Sequence, residues 1–90
     1  MVTNERELEK HLKALANRRR LAILKHLKTH REAPVGEIAD KINLSLKATS
    51  KHLGILRALD IVEKEQRSLQ MFYRLAGTNS PAVKHIISLL

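Results

Sequence analysis

The sequence predicts a mainly α-helical chain carrying one small β-hairpin, in the order α-α-α-α-β-β-α. Three observations lead there. Apolar residues recur at helical spacing as far as about residue 59. The spacing then changes to short strand-length segments between 61 and 75. Leu, Ile, Val and Phe number 27 of 90 residues, above the level at which a chain stays disordered. A chain this short buries only about 60% of its unfolded-state surface, so support from a partner subunit is expected. Residues 1–90 are read as a single domain.

Each element has a local cause. Leu8, Leu12 and Leu15 repeat at helical spacing after Asn4, which stands three residues before Glu7 in a capping-box pattern; this predicts a first helix over about 4–16. Asn17 is a second N-cap, and Leu21, Ile23, Leu24 and Leu27 form an apolar stripe to about residue 30. Ala33-Pro34 ends it. Val35, Ile38, Ala39 and Ile42 give a short third helix over 36–42. Asn43-Leu44 makes a turn, and Ser45 caps a fourth helix reaching about Leu59. Ile61–Gln66 and Gln70–Leu75 are two strands around Arg67-Ser68-Leu69, a hairpin whose turn lacks the usual Gly or Asn. Ser80-Pro81 pairs an N-cap with proline at the first helical position. The helix it opens, about 80–90, places Val83, Ile86, Ile87 and Leu90 on one side.

Several function classes are excluded. The apolar runs are far too short for a transmembrane helix. Met1–Asn4 followed by charged Glu5–Lys10 does not read as a signal peptide, so the cytoplasm is the expected compartment. With no cysteine there is no disulfide, thiol nucleophile or thiolate metal site. A Gly-rich phosphate loop, a plausible triad and a carboxylate cluster are all missing, which argues against an enzyme.

The net charge of +8 is unevenly spread. Segment 17–31 carries Arg18, Arg19, Arg20, Lys25, Lys28 and Arg31 without an acid, and segment 45–59 carries Lys47, Lys51 and Arg57 without an acid. Two blocks thus hold the excess, a pattern suited to a polyanion. The third and fourth helices, joined by a tight turn, form a helix-turn-helix arrangement with a basic second helix. At roughly 100° per residue, Lys47, Ser50, Lys51, Gly54, Arg57 and Ala58 share one arc. Ala48, Thr49, His52, Leu53, Ile55, Leu56 and Leu59 fill the other side.

A face of donors without acids matches the major groove, whose floor offers acceptors at guanine and mixed groups at adenine. Ser45 and its neighbouring amides sit at a helix N-terminus, where phosphate is favoured. The candidate DNA contacts are Ser45, Lys47, Thr49, Ser50, Lys51 and Arg57, with Arg67 at the tip of the hairpin. His52, within the apolar arc, is expected to be a hydrogen-bonded core histidine. Gly54 either admits a groove wall or has no role.

Leu12 to Ala76 resembles the winged helix-turn-helix domain of the ArsR family of transcriptional regulators. The similar stretches are Leu15-Ala16-Asn17 through Leu24, Val35–Ala39, Leu44-Ser45 with Ser50-Lys51-His52-Leu53 and Leu56-Arg57, and Phe72–Leu75. Asp60 departs from the pattern by standing where glycine is common, and the wing tip lacks glycine. The resemblance implies a homodimer whose first and last helices form the interface and whose two recognition helices bind an operator; two-fold symmetry predicts that the operator is palindromic, and repression is the expected outcome. Half-sites would lie about one helical turn apart. Leu8, Leu12, Leu15, Val83, Ile86, Ile87 and Leu90 are the candidate interface residues.

Many members of that family sense metals, but their cysteine pair would fall at Pro34 and Gly36. Their last-helix ligand set would fall on Gly77, Thr78 and Asn79, with only His85 beyond. One imidazole is not a site, because a divalent ion takes about three or four ligands. His26 and His30 share a helical face but chelate weakly alone. No metal and no cofactor are therefore expected, and control by an unrecognised effector is left open. The rival readings are a winged helix that binds protein rather than DNA, and RNA binding, which two aromatic residues, Phe72 and Tyr73, do not support.

Overall fold

The computed structural model describes residues 4–90, so residues 1–3, which belong to the leader and domain readings above, lie outside the described residues. Among the described residues there are five helices: α1 (Glu5–Leu15), α2 (Arg18–His30), α3 (Val35–Lys41), α4 (Leu46–Ala58) and α5 (Pro81–Ser88). The caps behave as their sequence signals require. Side chains of Asn4, Asn17, Ser45 and Ser80 each accept from a backbone N–H of the helix they open. That satisfies donors which helix geometry leaves without partners.

The sheet holds one strand more than expected. β1 (Glu32–Pro34) pairs with β3 (Gln70–Leu75), which pairs with β2 (Val62–Arg67), giving the antiparallel order β1-β3-β2. Three residues carry no readable period, so β1 is visible only through its partner. Pro34 fits there because an edge strand does not need its missing N–H. The hairpin turn is made without glycine by Ser68, whose φ of 57° is left-handed.

Two other left-handed residues set the orientation of the helix-turn-helix. Asn43 (φ 55°) follows α3, where Leu44 N–H donates to Ala39 O. Asp60 (φ 57°) follows α4, where Ile61 N–H donates to Leu56 O. Both are the six-to-one closure that ends helices through a left-handed residue. Asp60, where glycine is common in the family, adopts the backbone conformation that glycine would supply, one that Asp tolerates better than most residues.

The core joins Ile23, Leu24 and Leu27 of α2, Ile38 of α3, Leu53 and Leu56 of α4, Ile61 and Val62 at the start of the wing, and Val83 of α5. Asn79 locks the loop after the wing: its Nδ2 donates to Ile61 O and Ala76 O, both at 3.1 Å. Among the described residues no helix is long and apolar enough to cross a membrane.

Candidate nucleic-acid interface

α4 is oriented by its buried side. Thr49, Leu53 and Leu56 are fully buried against α2, α3 and the sheet, so the opposite side must face outward. Ser45, Lys47, Ser50, Lys51, Gly54, Arg57 and Ala58 are all exposed. Among the described residues, none of Lys47, Lys51 and Arg57 enters an ion pair. The result is a free cationic strip with a hydroxyl at its centre. Leu46 and Ile55 are exposed on the same helix, a feature that the arc assignment missed for Ile55. Apolar side chains of this kind meet thymine methyl groups in a major groove.

Thr49 is a correction. It is 0% exposed, and its Oγ1 is buried without a partner, so it cannot touch DNA while α4 keeps this packing. Its position in the apolar arc was the signal to heed.

Arg67 is exposed but already engaged within the sheet. It lies over the Phe72 ring, 4.8 Å from the centroid, and spans the sheet to bond both carboxylate oxygens of Glu32 while its Nε donates to Glu65 at 3.2 Å. Arg74 donates to Glu63 (2.8 Å) and Glu65 (2.9 Å). Hydrogen bonds from Arg67 hold the carboxyls of Glu32 and Glu65 below the ordinary range. Both wing arginines are thus neutralised by neighbouring carboxylates, Lys64 is exposed outside these pairs, and the tip presents Leu69, 97% exposed.

Half of the first basic block is also committed. Arg20 Nε donates to Ala14 O at the end of α1, and its Nη1 donates to Nδ1 of His52 at 3.2 Å. Arg19 reaches Ile42 O and Asn43 O through long bonds of 3.4 and 3.5 Å, and Lys28 donates to Ser88 O at 3.2 Å. Three cations of α2 therefore sit on the C-terminal carbonyls of α1, α3 and α5, where the helix dipole favours positive charge. His52, half-buried, is the hydrogen-bonded histidine anticipated. Burial first, then the cations Arg20, Arg19 and Lys51, push its pKa down.

The apolar stripes at the chain ends divide. Leu15, Val83 and Ile87 are buried in the protomer's own core, so an interface role for them is withdrawn. Ile86 and Leu90 are partly buried against that core. Leu8 is half-buried, Leu12 is 45% exposed, and the two line a surface groove along α1 with Glu5, Glu9, Lys13 and Ala16. Leu89, 72% exposed, was not anticipated.

Residues 15–65 match a sequence family described as a helix-turn-helix domain. The chain belongs to this family, and within it to the ArsR-like winged helix regulators. It is 39% identical to the transcriptional activator HlyU of Vibrio cholerae over 97% of this chain and 83% of that one. The solved structure of reduced HlyU superposes with a TM-score of 0.82, covering 97% of this chain and 87% of that chain. The transcriptional repressor BigR of Xylella fastidiosa is 33% identical, with a TM-score of 0.76 over 93% and 80% of the two chains. The homodimeric winged helix-turn-helix DNA-binding domain Mb0332 of Mycobacterium bovis, described as a possible ArsR-family transcriptional regulator, is 30% identical, with a TM-score of 0.79 over 97% and 82%. The protein is a DNA-binding transcriptional regulator of the winged helix-turn-helix type, a family of regulators rather than enzymes.

Proposed function

We propose that the chain is a single-domain homodimer that inserts α4 of each protomer into successive major grooves of a palindromic operator and represses by occupying it. One observation carries this reading: the outward side of α4 offers Lys47, Ser50, Lys51 and Arg57, exposed and without carboxylate partners. Lys47 and Lys51, near the start of the helix, are assigned to base edges and phosphates, and Arg57 to the backbone. Leu8 and Leu12 on α1, with Ile86, Leu89 and Leu90 at the other end of the chain, supply the apolar surface for the partner. The homodimeric state of the Mycobacterium bovis domain supports that assignment. Occupying an operator blocks or admits polymerase according to where it lies, which accommodates both an activator and a repressor among the relatives.

The test is duplex selected from a random pool, followed by a salt titration. If about six to ten phosphates are neutralised per dimer, affinity falls by roughly three to five decades between about 50 and 200 mM salt. Flat salt dependence, or no duplex bound at low salt, would replace this reading with the protein-binding one. Lys51→Ala should cost about 1–3 kcal/mol and relax preference at one position per half-site if Lys51 reads a base. A uniform loss across sequences would make it a phosphate contact.

A further inference from the structure

We propose that the groove between α2 and α3 is an effector site for a small organic carboxylate with an apolar body; its regulatory half rests on the DNA-binding reading above. The groove is a cavity of about 350 Å³ with Ala22 and Ile42 as apolar walls, Lys25 and Lys41 at its sides, and His26 and His30 between them. That volume falls within the range usual for small-molecule sites. A neighbouring recess of about 330 Å³, lined by Arg18, Arg19 and Asn43, shares Ala22 and Ile42 with it. No acid lines either one. An apolar wall ringed by cations discriminates for a ligand that carries both an apolar body and a negative charge.

His26 lines the groove without supplying a bond to the ligand. Its side chain is only 5% exposed, Nε2 donates to Glu37 Oε2 at 2.8 Å, and Nδ1 is buried with no partner. With Nε2 donating, Nδ1 carries the lone pair and is shut off from the groove, so it offers a carboxylate no hydrogen bond, and the charge is met by Lys25 and Lys41. His30 stacks on the same ring, with centroids 4.3 Å apart. A metal is the poorer occupant, because among the described residues no group of three metal-binding side chains converges.

The groove is also placed to matter. His26–Glu37 ties α2 to α3, Arg19 holds the carbonyls at the α3–α4 turn, and α3 packs directly on α4. A ligand wedged between α2 and α3 favours whichever setting of α3 it fits better, and can shift DNA binding by no more than that difference.

The experiment is an NMR titration of the full chain with sodium benzoate, using acetate (charge without body) and benzyl alcohol (body without charge) as comparisons. Benzoate should shift the His26 and His30 ring signals and the amides of residues 22–30 and 41–42 saturably. Both comparison compounds should bind about tenfold more weakly or worse. Lys25→Glu, an exposed substitution, should weaken benzoate by about fivefold or more, and Lys10→Glu on α1 should not. No saturable shift, shifts confined to α1 or the wing, or equal binding of benzyl alcohol would overturn the site. Duplex affinity is measured first without benzoate, so failure there counts against the DNA-binding reading and not the groove. Saturating benzoate should then change that affinity by about threefold or more, in either direction; unchanged affinity would remove the effector role.

Discussion

The recognition helix and the wing both carry cations, but the structure uses them in opposite ways. On α4, Lys47, Lys51 and Arg57 face outward without acids. On the wing, Arg67 and Arg74 are interlocked with Glu32, Glu63 and Glu65. A binding surface for a polyanion is therefore set by unpaired charge and not by the number of basic residues. On the groove-reading side phosphate attraction should come mainly from α4, while the wing offers Lys64, shape and the apolar side chain of Leu69.

The largest effect expected from this contrast comes from replacing Lys47, Lys51 and Arg57 together with Ala. Affinity for the selected duplex should fall by about two decades or more, and the salt slope should shrink by roughly one per phosphate no longer neutralised. Melting of the free protein should change little, because the three side chains hold no ion-pair partner among the described residues. Leu12→Glu probes the other end of the molecule: mass should shift to monomer with helix content retained. Leu12 is a cleaner choice than Ile86, which also leans on the core.

Arg67→Ala should invert the pattern seen for α4. Duplex affinity should stay within about threefold, with an unchanged salt slope, while the melting temperature drops at neutral pH. The sign follows from the lowered carboxyl pKa values of Glu32 and Glu65. Their contribution is present above the ordinary carboxylate value of about 4.3 and is lost as pH falls through the lower folded-state values. The melting difference between variant and parent should therefore close on acidification through that range. A loss of affinity larger than the loss of stability would return Arg67 to the DNA.

His52 provides a smaller effect of the same kind. Its folded-state pKa is depressed, mainly by burial, so the unfolded chain binds the proton more readily. Stability should fall as pH drops below the ordinary histidine value of about 6.5, and His52→Gln should flatten that slope. Smallest of all is Gly54→Ala. Apart from the helix's own nearby backbone and its chain neighbours, none of the described residues lies within 4 Å of a methyl built there, and Ala is favoured in a helix interior by about 1 kcal/mol. The variant should melt higher. Weaker duplex binding alongside that gain would show that the glycine serves a close groove wall.

Much of the fold was legible because its signals are local. Asn4, Asn17, Ser45 and Ser80 each announce a helix within four residues of sequence, and each caps one. The misreadings share the opposite property. β1 exists only because Glu32–Pro34 meets Arg74–Phe72, some forty residues away in sequence. Arg67 is neutralised partly by Glu32, thirty-five residues distant, and Arg20 finds His52 across thirty-two. Thr49 was a local error: its angular position on α4 already placed it inside. Leu15, Val83 and Ile87 could not be divided from Leu8 and Leu12 by period alone, since core and interface stripes have the same spacing.

The chain contains no cysteine, so one introduced at Ser50 gives a single attachment point for an iron chelate on the outward side of α4. Bound to its selected duplex, the Ser50→Cys conjugate should cut DNA in the major groove at two clusters, one per half-site, about one helical turn apart. A conjugate at Lys84→Cys on α5 should cut weakly or not at all. Equal cutting from the two positions, or none from position 50 while the duplex remains bound, would contradict the placement of α4 in the groove.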